Sequence, residues 1–158
     1  MSHPWEEMRL IDAIGPVDMG TARNGTYISL KNTNRAYIVV HFGLQSTGVM
    51  TVTPYQATAI AGTGAKVFSN VLPIWASNGC SSDETLTKQT ASTQFSFNTS
   101  TGDKMVIFEV QPGQMDLANS FDCIQVRLSA TCSSDSASAF YYADMRYQCA
   151  DTPTVFEN

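Results

Sequence analysis

Lys104-Met105-Val106-Ile107-Phe108-Glu109-Val110 is the most apolar run in the chain, and Pro112-Gly113 closes it. Seven residues suit a strand and fall short of a buried helix. Val, Ile and Phe favour a pleated, packed surface. The run therefore predicts a central strand. Reading outward from it, strand follows strand. Residues 121–130 alternate, with Cys123, Gln125, Arg127 and Ser129 on one face and Ile124, Val126 and Leu128 on the other. Residues 139–148 carry Phe140, Tyr141, Tyr142, Met145 and Tyr147 and predict a final long strand. Upstream, residues 93–98 place Phe95 and Phe97 on one face, and residues 84–90 hold only Leu86, as an exposed edge strand would. Residues 66–75 are apolar but interrupted by Pro73, and residues 49–53 alternate. Residues 26–31 and 35–42 flank the turn Asn32-Thr33-Asn34 and read as a hairpin. Short strands with turn signals about every 8–12 residues mark an all-β antiparallel sandwich or barrel. The expected architecture is a jelly-roll-like β-sandwich over residues 25–150, an N-terminal arm over 1–24 and a polar tail over 151–158.

Composition agrees with strands. The chain has 158 residues, 43% hydrophobic and only 15% charged, against a typical quarter. Sixteen Ser and seventeen Thr supply the polar surface that Lys and Glu supply elsewhere. That excludes a coiled coil or helical bundle, and 10% aromatic residues argue against disorder. The net charge is −5, and the nine basic residues are scattered singly, so direct binding of nucleic acid is not expected. No run reaches the roughly 18 apolar residues of a membrane span, and residues 1–18 contain Glu6, Glu7 and Asp12 without the apolar core of a secretory signal. No membrane partner is expected, and folding in a cytosol is. The sequons at Asn24 and Asn98 are then chance matches.

Residues that carry chemistry are sparse. Cys80, Cys123, Cys132 and Cys149 form no C-x-x-C pair. They read as free thiols, with Cys123 in the core; a late disulfide such as Cys132 with Cys149 is the alternative. His3 and His41 are too few for a His-rich metal site, and His41 reads as a strand residue. No G-x-S-x-G elbow occurs. Gly62-Thr63-Gly64-Ala65-Lys66 lacks the phosphate-loop frame and reads as a turn. Glu109 is expected to point outward or to pair with Arg127. No enzymatic activity, cofactor or metal is expected. Trp75 with Asn78, and Tyr141, Tyr142 and Tyr147, are the aromatics a sugar-binding sandwich would use, although core or interface packing accounts for them more simply.

The first 24 residues stand apart. Trp5, Met8, Leu10 and Ile11 are too apolar for water, and Ile14-Gly15-Pro16 breaks any helix. The segment is an arm that docks these four side chains on a partner, or else a strap across its own domain. If it is an arm, deleting residues 1–18 leaves the sandwich folded.

Four stretches resemble a known family: Thr26 to Asn32, Tyr37 to Gly43, Gln56 to Lys66, and Asp116 to Val126. They are similar to small virion-associated proteins encoded near the capsid genes of tailed bacteriophages, and the resemblance spans about residues 20–150. It implies a capsid decoration (cement) protein on the virion surface, assembled in the host cytoplasm. The implied partner is the major capsid protein, and the protein itself would be a homo-oligomer, dimer or trimer. The alternatives are a tail, collar or fibre-anchoring module and, more remotely, a carbohydrate-binding sandwich. The matching residues are fold motifs and transfer no catalytic roles.

Overall fold

The run 104–110 lies within β10 (Gly102–Val110), hydrogen-bonded on one side to β4 (Thr33–Leu44) and on the other to β7 (Leu72–Ser77). It is an interior strand, as its apolar character requires. The computed structural model describes residues 7–45, 48–82, 85–97, 101–146 and 155–156. Six antiparallel strands make the first sheet. Their order is β1 (Met8–Asp18), β12 (Ser136–Met145), β4, β10, β7 and β8 (Thr87–Ser92). In the second sheet β2 (Arg23–Asn24) and β3 (Ile28–Ser29) both pair with β11 (Cys123–Leu128). Beyond β11 comes β5 (Met50–Ala57), which pairs with both β6 (Lys66–Val67) and β9 (Phe95–Phe97).

The topology is a jelly roll. With β2 and β3 counted as one broken strand, β1-β12-β4-β10 faces β3-β11-β5-β9. In chain order that is first, eighth, third, sixth against second, seventh, fourth, fifth, the double Greek key of this architecture. The β7–β8 hairpin is an insertion that widens the first sheet beyond β10. The all-β, antiparallel, jelly-roll-like expectation holds.

Two local expectations change. Residues 26–31 and 35–42 form no hairpin. Ile28 and Ser29 are buried and pair with β11 in the second sheet, while β4 belongs to the first. The turn between them, closed by Thr33 N–H on the Leu30 carbonyl at 3.1 Å, carries the chain from one sheet to the other. The described part of the 1–24 arm is not a separate unit. Met8–Asp18 is an integral edge strand whose Ile11, Ala13 and Ile14 are buried in the common core. Gly15-Pro16 does not end it, because register shifts after Asp12 and after Ile14 let an edge strand bend around both.

The core forms where the inner faces meet. Ile38, Val40 and Phe42 of β4, Val106 and Phe108 of β10, and Ile124 and Val126 of β11 are fully enclosed. On β12 the inward series is Ala137, Ala139, Tyr141, Ala143. The three alanines leave room for one large ring. Phe42 of the first sheet meets Phe97 of the second edge to face at 5.4 Å, and Phe95 does the same to Phe97 at 4.9 Å. Pro54 is tolerated inside β5 because the Val126 N–H and carbonyl opposite it bond away from β5, and β5 changes partner from β9 to β6 at that position.

Candidate functional site: the outer face of the six-stranded sheet

An antiparallel sheet with one solvated face alternates apolar and polar residues. The first sheet does not follow this rule. Its outward positions on β4 and β10 include Tyr37, Val39, Met105 and Ile107, all partly exposed. The strand registers set them in rows. One row runs straight across all six strands: Asp12, Phe140, Val39, Ile107, Trp75, Lys88. The next holds Leu10, Tyr142, Tyr37 and Glu109, and a third holds Ser138, His41, Met105 and Ser77. Met8, Tyr37, Val39, Trp75, Leu86, Ile107, Glu109 and Tyr142 bound a groove of 410 Å³ on this face. An ion pair lies at its rim, Arg35 Nη1 to Glu109 Oε1 at 3.5 Å. Arg35 also donates to the Tyr37 hydroxyl at 3.2 Å, and Gln111 donates to Glu109 at 3.1 Å. An apolar floor with an engaged polar rim is suited to packing against another surface.

The expected partner-binding residues divide. Leu10 is 47% exposed on the outer face, and Met8 lines the groove. Ile11 is 7% exposed and points into the core, so it has no surface to offer a partner. Trp5 lies outside the described residues. Of the aromatics considered for sugar binding, Trp75 and Tyr142 reach the groove, Tyr141 is wholly buried, and Asn78 lines a separate polar hollow beside Gly79 and Thr87. Tyr147 also lies outside the described residues. The row is not contained in any one segment of the sequence, because it joins side chains from six strands. The signal was present: consecutive apolar residues, Tyr37 to Val40 and Met105 to Phe108, mark strands that need cover on both sides.

Elsewhere the polar groups serve structure. Glu109 pairs with Arg35 rather than Arg127. The Arg127 guanidinium lies 3.8 Å over the Tyr55 ring and donates to the Tyr27 hydroxyl, on the other sheet. His41 stands on β4 in the outward row. Gly62 and Gly64 have positive φ, so the 62–66 stretch is a turn. The turn is anchored by Lys66, which pairs with Asp116 and sits 4.1 Å over the Phe121 ring. The Lys66 hydrogen bond, with help from Asn119, holds the Asp116 carboxyl below the usual carboxylate range. Cys123 is buried, and that burial, with the Asp122 carboxylate beside it, pushes its thiol up to about 12. Cys80 is raised by burial and Asp103, whereas Cys132 is lowered by the Ser134 hydroxyl that donates to its sulfur. Cys80, Cys123 and Cys132 are free thiols; Cys149 lies outside the described residues. Among the described residues no three His, Cys, Asp or Glu side chains are grouped to hold a metal ion, and no helix is long and apolar enough to cross a membrane.

No family model matches the sequence. No curated protein matches it either. Among solved structures it is similar to the SPBc2 prophage-derived protein YomS, at 7% identity and a TM-score of 0.46, covering 87% of this chain and 92% of that one. The Tobacco streak virus coat protein follows at 9% identity and a TM-score of 0.32, covering 97% of this chain and 95% of that one. A structure described as "CBM4 structure and function" matches at 14% identity and a TM-score of 0.33, covering 87% and 68%. Likenesses this distant carry no functional weight, and the jelly-roll assignment rests on the strand order itself.

Proposed function

We propose that this chain is a non-enzymatic structural protein of a tailed-phage virion, a capsid decoration (cement) protein that binds the major capsid protein shell from outside and stabilises the head. The observation that carries the reading is the position of β1. It is the edge strand of the first sheet, paired along one side with β12. Its first five residues, Met8 to Asp12, keep regular register before the bulges begin. An edge strand accepts a strand from another protein by main-chain hydrogen bonding, with side-chain pockets supplying selectivity. Leu10, Met8 and Trp5 are the side chains proposed to enter grooves of the shell protein, with Ile11 holding the strand in place from within. The resemblance to small virion-associated proteins supports the same reading. Repetition of identical sites over a shell makes weak single contacts sufficient.

The test is add-back. Purified chain is mixed with shells assembled without it, and bound protein is quantified by co-sedimentation. Saturation at a simple ratio to shell subunits is expected, with binding weakened by Leu10→Asp while the chain's own unfolding midpoint stays unchanged. Absence of co-sedimentation, or full binding by the Leu10 variant, contradicts the proposal.

A further inference from the structure

The row across the outer face has an order that a second copy can read. From one sheet edge to the other it runs Asp12, Phe140, Val39, Ile107, Trp75, Lys88, each residue directly opposite the next in register. Its ends carry opposite charge, its second and fifth positions are aromatic, and its centre is a pair of β-branched residues. A two-fold axis lying along the strands between β4 and β10 reverses such a row onto itself. Asp12 then meets Lys88 of the second copy, Phe140 meets Trp75, and Val39 meets Ile107. We infer that this face is the interface of a symmetric homodimer in which the two six-stranded sheets pack face to face.

The neighbouring rows fit the same operation. Tyr37 comes opposite Glu109 of the second copy, a phenol beside a carboxylate. His41 comes opposite Met105, and Ser138 opposite Ser77. No like charges are brought together in these three rows. An isologous interface requires this self-complementarity, with residue i meeting j and j meeting i. Aligned packing of two sheets about 10 Å apart is an ordinary geometry for inner faces and serves equally between subunits. At strand spacings near 4.8 Å the row is about 24 Å long, and three such rows, each about 7 Å deep, give roughly 500 Å² of projected face, which side-chain relief raises toward the ~800 Å² per partner of a standard interface. Asp12 and Lys88 are exposed, so each is placed to pair across the rim.

The dimer face takes in the groove that Met8 lines and the row that holds Leu10, side chains also proposed for shell docking, so the inference is tested without a shell. Sedimentation velocity on the full chain at 1–100 µM (roughly the range of transient to stable dimers) is expected to show a monomer–dimer equilibrium. Trp75→Ala raises the dissociation constant at least about tenfold, as loss of a central aromatic does. Asp12→Lys and Lys88→Asp, singly, each weaken the dimer about fivefold, because either one creates two like-charge contacts per dimer. The double variant Asp12→Lys/Lys88→Asp restores wild-type affinity, an outcome general misfolding would not produce. A chain that stays monomeric at 100 µM overturns the inference. So does a dimer indifferent to Trp75→Ala, or a double variant no better than the singles. A monomer whose Trp75 fluorescence shifts on adding soluble oligosaccharides assigns the face to a sugar ligand and also overturns it. Failure of the dimer leaves shell binding to be decided by add-back, and the converse holds.

Discussion

The Tyr141 hydroxyl joins the two sheets: it accepts the Val126 backbone N–H at 2.9 Å and donates to the Thr26 carbonyl at 2.9 Å. Tyr141 belongs to β12 in the first sheet and Val126 to β11 in the second. The ring is fully enclosed, and burial raises the phenol well above its ordinary range, so it stays protonated and able to donate. Gly25 stands where a Cβ would come within 2.9 Å of that hydroxyl, so the β2–β3 junction closes over it only with glycine. Tyr141→Phe leaves the Val126 N–H and the Thr26 carbonyl without this partner. The expected loss is about 1–3 kcal/mol, read from urea denaturation midpoints at constant slope. A loss below about 0.5 kcal/mol would remove the bridge from the account.

Adjacent residues on β1 separate its two faces. Ile11→Ala opens a hole in the core and is expected to cost about 2–4 kcal/mol. Leu10→Ala, on the outer face, is expected to cost no more than about 0.5 kcal/mol. Equal losses in thermal or denaturant unfolding would contradict the register of β1 on β12. For the same reason, deleting residues 1–18 is expected to destabilise the sandwich rather than free it. The deletion removes Ile11, Ala13 and Ile14 from the core and the Ala13 carbonyl that accepts Thr26 N–H at 3.1 Å. Far-UV and near-UV circular dichroism of the truncated chain decide this: a native spectrum with an unchanged midpoint would restore the independent arm.

The architecture was legible in the sequence because strand period, turn residues and the runs at 104–110 and 121–130 all pointed one way. Three things were not legible, each for a physical reason. Strand partners depend on which sheet a segment enters, so Thr26 to Lys31 beside Arg35 to Phe42 looked like a hairpin although burial at Ile28 sends it to β11. Gly15-Pro16 marks a break in a helix but only a bulge in an edge strand, so β1 looked like an arm. The outer aromatic row is assembled from six strands distant in sequence, and no local window contains Phe140, Val39 and Trp75 together.

Thiol reactivity follows from the three environments. At pH 8 Cys132, lowered by the Ser134 hydroxyl, is expected to alkylate first. Cys80, raised by burial and Asp103, follows more slowly. Cys123, pushed up to about 12, stays unmodified until the chain unfolds. Peptide mapping through an iodoacetamide time course reads the order, and Ser134→Ala is expected to slow Cys132 alone. Early labelling of Cys123 would contradict its burial on β11.

Acid stability should carry the Asp116 signature. Its folded pKa is depressed by the Lys66 hydrogen bond first and by Asn119 second. A depressed carboxyl stabilises the fold above its unfolded value, near pH 4, and that contribution fades as pH falls through the folded value. Asp116→Asn is therefore expected to flatten the stability profile below about pH 4 and to lower stability at neutral pH. Parallel profiles for the two proteins would show that the Lys66 contact is not formed in solution.

If the sandwich coats a phage head as proposed, the copy number of the chain in purified particles shows it. Quantitative mass spectrometry against the major shell protein gives that number. Hundreds of copies, in a simple ratio to the shell protein, are predicted. A dozen or fewer would contradict decoration and place the chain at the neck, collar or tail, and its absence from particles would contradict a virion role altogether.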